Sequence, residues 1–170
     1  KKYDVVPDVV IYGKALGNGY AINAIVGKRE VMMQAQNSFI SSTFWTERIG
    51  SAAALKCLEV MQREKSWEVC TEAGNRVQNM WKVISDKNKL PIKISGLPAL
   101  SSFVFCDNDH LKYKTFITQE MLKIGILASN VFYTSTAHTD SHFETYFDAL
   151  NDIFYRLKSL EHSGSINELL

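Results

Sequence analysis

The sequence has 170 residues, 46% of them hydrophobic and 22% charged, enough to build one folded domain or one and a half. Its formal net charge is +1, with lysines and arginines interspersed among acids, which excludes an electrostatic grip on nucleic acid or an anionic membrane surface. Three cysteines with no CxxC pair suggest neither a disulfide framework nor a zinc knuckle, and the four histidines show no metal-ligand spacing combined with cysteine or a carboxylate cluster.

In chain order, "KKYDVV" opens without a methionine and leads within a few residues into "VVIY", so the chain is expected to be the C-terminal piece of a longer one. The run "VVIY" is short, apolar and β-branched, which predicts a strand buried on both faces of a parallel sheet. A glycine-rich turn, "GKALGNGY", follows, and "AINAIVG" predicts a second strand. "KREVMMQAQ" reads as a short helix and "NSFISSTFW" as a loop. Thr46 precedes a helix to about Lys65 whose buried face is expected to carry Ala54, Cys57, Leu58 and Met61.

Ser66, with Glu68 in the first turn, predicts the start of a longer helix striped by Cys70, Ala73, Val77, Met80, Trp81 and Ile84 and stopped by Asn88 and Pro91. "IKIS" and "ALSSFVFCD" read as strands joined by a Gly-Leu-Pro turn. A helix is expected from about Thr115 to Ile124, closed by Gly125. "ILAS" and "VFYTS" read as short strands. Ser141 and Glu144 have capping-box spacing for a last helix on Phe143, Tyr146, Phe147, Leu150, Ile153, Phe154 and Leu157. The tail "HSGSINELL" carries little pattern and is expected to be mobile. No stretch approaches the length of a membrane span, and a reducing, cytoplasmic compartment is the expectation.

Lys14 is the residue with chemical interest. A phosphate-binding P-loop needs its lysine after the glycines and before a helix; here Lys14 precedes Gly17 and Gly19, and a strand follows. Gly17-Asn18-Gly19 is only a fragment of a dinucleotide fingerprint. A nucleophilic lysine that condenses with an aldehyde needs a rigid strand end, room for a flat ring, and enough neutral amine. The turn offers the strand end and small neighbours at Gly13, Ala15, Gly17 and Gly19. On the residues alone, a solvated turn lysine remains the competing reading.

Three ordered segments resemble one family. "PDVVIYGKALGNGYAINAIVGKREVM" looks like the cofactor-lysine segment of class III (fold type I) aminotransferases, "SSTFWTERIGSAAALKCLEVM" like the segment entering their alanine-rich helix, and "TQEMLKIGILASNVFYTSTAHTD" like their small C-terminal domain. The nearest branch in flavour is glutamate-1-semialdehyde aminomutase and its relatives. The resemblance implies an α/β fold: residues 1–65 as the end of the large domain that binds pyridoxal 5′-phosphate, and 66–170 as a linking helix and small α+β domain. It implies that Lys14 forms the Schiff base with the cofactor, and that Thr43 contacts the cofactor phosphate of the neighbouring subunit in a homodimer. Ala21 stands where many family members carry proline.

Asp4 and Asp8 lie too close to Lys14 to be the aspartate that pairs with the pyridine nitrogen, so that group is expected upstream. Lys28 and Arg29 read as a solvated helix start, Glu47 and Arg48 as a surface ion pair or a contact at the substrate mouth or dimer interface, and His138 as a capping or packing histidine. Tyr12, Trp45 and Trp67 read as core or interface aromatics. The implied reaction is amino-group transfer on a small molecule. A decarboxylase or racemase of the same fold, or a non-catalytic α/β binding module, are the alternatives.

Overall fold

The computed structural model describes residues 4–163, and most of the closing stretch "HSGSINELL" lies outside them. The chain divides at Lys65–Ser66 into two compact units.

In the first unit the β-branched run Val9–Tyr12 forms β1, which pairs antiparallel with β2, Ala24–Gly27; Val9 lies opposite Gly27 and Tyr12 opposite Ala24. The expected burial on both faces of a parallel sheet is corrected here. The two strands make a ribbon of their own without the covering helices of a parallel sheet, so Ile11 is 71% and Ile25 56% exposed. Asp8 and Lys28 close the open end of the ribbon: the Lys28 amide donates to the Asp8 carbonyl at 2.9 Å, and the side chains pair at 2.5 Å.

The short helix α1, Arg29–Met32, continues as a 3-10 turn over Met33–Asn37. Helix α2, Ile49–Glu64, follows the loop and ends where Lys65 takes a left-handed φ of 48°. Its inward face differs from the expected one. Gly50 and Ala54 are buried and Cys57 and Met61 half-buried, whereas Leu58 is 51% exposed. The stripe therefore runs 50, 54, 57, 61, starting one turn earlier, because the small residues, rather than the larger leucine, meet the lysine turn.

The second unit is an antiparallel sheet covered by helices. Helix α3, Ser66–Asn88, is followed by β3, Ile92–Ser95, β4, Leu100–Phe105, α4, His110–Lys123, β5, Val131–Tyr133, and α5, Asp140–Ser163. The sheet order is β3-β4-β5, with Ile94 opposite Phe103 and Ser101 opposite Phe132. In β4, Ser101, Phe103 and Phe105 point into the core at period two. Phe103 packs edge-on against Trp81 of α3 at 4.8 Å, and Phe105 lies 5.2 Å from Phe154 of α5. The Trp81 indole donates to the Tyr146 hydroxyl at 2.8 Å, tying α3 to α5 inside the core, and burial pushes the Tyr146 phenol pKa up.

Three boundaries differ from the expectation. Helix α4 begins at His110 rather than Thr115, after an Asx turn in which the Asp109 amide donates to Asp107 Oδ1 at 2.8 Å. "ILAS" is not a strand. Gly125, at φ 80°, donates to the Leu122 carbonyl and Ile126 to that of Met121, a Schellman closure that uses the backbone a strand would need. Helix α5 opens two residues ahead of the expected capping box. Thr139 precedes it, and the Thr139 amide donates to Nδ1 of His142 at 3.1 Å, so a histidine fills the place of the box's glutamate.

Candidate active site

In the first unit α2 packs against the lysine turn that follows β1. After β1 the chain passes through extended Gly13 into a 3-10 turn, Lys14–Leu16, whose carbonyls at Gly13 and Lys14 accept from the amides of Leu16, Gly17 and Asn18. Lys14 itself holds a left-handed φ of 49° and Asn18 one of 46°. A lysine carries a Cβ and no local side-chain bond that favours this region, so the conformation costs about 1–2 kcal/mol and persists only where the surroundings impose it. Gly17 is buried against the returning chain, where a Cβ would stand 2.1 Å from the Tyr20 carbonyl oxygen. The turn therefore folds tightly on itself beneath an exposed lysine.

Among the described residues no hydrogen bond or ion pair engages Lys14 Nζ. Asp8, the acid closest to it in sequence, is committed to Lys28. An amine at the end of a strand, without a carboxylate partner and with small residues around it, is chemically suited to meet a carbonyl carbon. The Cys57 thiol of α2 donates to the Ala15 carbonyl at 3.0 Å, beside the lysine.

Thr43 lies exposed in the turns leading to α2, where the Trp45 amide donates to the Ser42 carbonyl and the Glu47 amide to that of Phe44. No hydrogen bond joins Thr43 to Lys14. Around it stand exposed apolar side chains, Phe39 at 96%, Trp45 at 67% and Ile49 at 60%. Glu47 belongs to the helix rather than to Arg48: it accepts from the Ile49 amide at 2.7 Å and from the Gly50 amide at 3.1 Å. Those backbone donors hold its carboxyl below the ordinary carboxylate range. The expected ion pair is thus replaced by a helix cap, signalled in the sequence only by an acid just before the first helical turn.

His138 is a capping and packing histidine: its Nδ1 accepts from the Ser135 amide at 3.0 Å and its ring lies 5.0 Å from that of Phe132. Tyr12 and Trp67 are half or more exposed, as is Trp45, so none of the three is a core aromatic. Lys28 is the ribbon's ion-pair partner, and Arg29 opens α1. Among the described residues no group of three histidine, cysteine or acidic side chains is placed to hold a metal, and no helix is long and apolar enough to cross a membrane.

This arrangement agrees with the relationships of the chain. Residues 1–154 match the family described as aminotransferase class III, and the chain belongs to that family, whose members use pyridoxal phosphate. It is 29% identical to the 3-aminobutyryl-CoA aminotransferase of Cloacimonas acidaminovorans (strain Evry), the match covering 94% of this chain and 40% of that protein. It is 26% identical to the glutamate-1-semialdehyde 2,1-aminomutase of Wigglesworthia glossinidia brevipalpis, over 92% of this chain and 40% of the relative. Among solved structures, the FumI protein of Sphingopyxis sp. MTA144 in its PLP internal aldimine form superposes with a TM-score of 0.84 at 23% identity, over 92% of this chain and 38% of that one. The acetylornithine aminotransferase of Elizabethkingia anophelis superposes with a TM-score of 0.78, also at 23% identity, over 91% of this chain and 40% of that one. These likenesses establish the mixed α/β fold of a PLP-dependent transaminase. The chain spans about 40% of the length of the curated relatives it matches.

Proposed function

We propose that the chain is the C-terminal part of a pyridoxal-phosphate-dependent aminotransferase or aminomutase, with Lys14 as the residue that binds the cofactor covalently and moves the proton. One observation carries the reading: an exposed lysine with no hydrogen bond or ion pair among the described residues, held in a left-handed conformation at a strand end, in a chain that matches class III aminotransferases over residues 1–154. The residues present fit the cofactor. Lys14 Nζ is the nucleophile for its aldehyde carbon, and the small residues of the turn leave room for a flat ring beside it.

The cofactor, when bound, supplies a conjugated ring that takes up the electron pair left when the substrate Cα–H bond breaks. The chain's own residues do the rest. Lys14 Nζ would take the proton from the substrate α-carbon and return it where the product needs it. The left-handed turn fixes the backbone from which the Lys14 side chain starts. The Thr43 hydroxyl donates to the cofactor phosphate of a second subunit, and the exposed apolar residues around Thr43 support a homodimer that covers them. The substrate is a small amino donor or acceptor, and a cytoplasmic setting agrees with three free thiols.

The test uses the full-length protein. Thr43→Ala removes one hydroxyl donor to a dianion and is expected to weaken cofactor binding by about tenfold, measured by fluorescence titration of the apoprotein. Unchanged affinity would remove Thr43 from the site. Because the chain spans only about 40% of its relatives, a second reading stands beside the first: a binding module of the same fold without catalysis, in which the native chain takes no cofactor at all.

A further inference from the structure

We propose that Cys57 is a positioning residue for Lys14, fixing the turn that carries the reactive amine through the hydrogen bond from its thiol to the Ala15 carbonyl. The inference rests on the assignment of Lys14 above and adds a residue to that site.

Lys14 is held left-handed, and it and the next residue, Ala15, are both exposed, so burial at these two residues does little to hold this conformation. The carbonyls of Gly13 and Lys14 are satisfied by amides within the turn. Among the described residues, the Ala15 carbonyl receives only the Cys57 thiol, at 3.0 Å. Cys57 is delivered there by α2, on the face that begins with Gly50 and Ala54 at helical spacing.

The same face grips the far side of the loop. A Cβ at Gly50 would stand 2.7 Å from the Ala21 carbonyl oxygen, so helix and loop are in direct contact there. Helix α2 thus holds the loop at Ala21 through close packing and at Ala15 through the thiol. Glu47, bonded to the Ile49 and Gly50 amides, fixes the first turn of that helix. Of these contacts the thiol is the one adjacent to Lys14, and a thiol is a weak donor on a compact side chain that fits against the turn.

The test compares wild type with Cys57→Ala, Cys57→Val and Cys57→Ser in the full-length protein. Valine keeps bulk without the donor, and serine keeps a donor. One readout is amide hydrogen exchange of peptides spanning residues 13–19; the other is the rate at which pyridoxal phosphate forms a borohydride-stable adduct on Lys14. Alanine and valine are expected to raise exchange of this segment about fivefold and to slow adduct formation by a similar factor, the loss of one hydrogen bond, with serine restoring both to within about twofold. Should the alanine variant fail to fold, valine and serine carry the comparison. Wild-type exchange and rate in both donorless variants would overturn the positioning role while leaving Lys14 in place. A wild-type protein that takes no adduct on Lys14 would overturn the catalytic reading itself, and the role of Cys57 with it.

Discussion

Replacing Lys14 by alanine and by glycine separates the backbone from the amine. Both variants lose Nζ, and both are expected to lose the covalent cofactor. Their stabilities differ for a reason that resides in one angle. At φ 49° alanine bears the left-handed penalty of its Cβ, about 1–2 kcal/mol, and glycine does not. Glycine loses more chain entropy on folding, about 0.4–1 kcal/mol. The difference favours glycine by roughly 0.5–1 kcal/mol, a reversal of the usual order in which alanine is the better residue. Urea unfolding of the two apoproteins, followed by circular dichroism, reads this as a higher midpoint for Lys14→Gly at equal slope. An alanine variant as stable as the glycine variant, or more so, would refute the left-handed lysine.

Two further outcomes follow from the same geometry. Glu47 has its carboxyl lowered by the α2 amides, so its contribution is complete above the unfolded value of 4.5 and is lost as pH falls through the lower folded value. Glu47→Gln should therefore lose less stability than wild type on acidification from about pH 5 to about pH 3, measured by thermal unfolding across that range, and parallel profiles would deny the cap. Trp81 is fully buried and donates to Tyr146, so Trp81→Phe gives up ring volume and one hydrogen bond together, about 2 kcal/mol in chemical denaturation; a loss under about 0.5 kcal/mol would contradict the core described here.

The second unit is more legible in its sequence than the first, because its core closes within the chain. The stripe from Val77 to Ile84 and the one from Phe143 to Leu157 are buried at the spacing a helix dictates, and the alternating β4 faces them. Where a local bond competes with the pattern, the pattern misleads: Ile126 is apolar enough for a strand, yet its amide closes α4. His142 takes the capping place because it sits three residues after Thr139, a spacing the sequence also offers with Ser141 and Glu144. In the first unit, apolar content implies burial that the described residues do not provide, as Ile11, Phe39 and Trp45 display. Lys14 is picked out by its strand-turn context; its left-handed backbone and the reach of Cys57 depend on contacts between distant stretches, which no local pattern encodes.

The most direct test of the account is to purify the protein from its native cell, add pyridoxal phosphate, reduce with borohydride, and combine intact mass with peptide mapping. The account predicts a chain about two and a half times this length, in keeping with the 40% coverage of its relatives, carrying one reduced adduct on Lys14. A native chain of 170 residues, or a chain of any length with no adduct on Lys14, would contradict it.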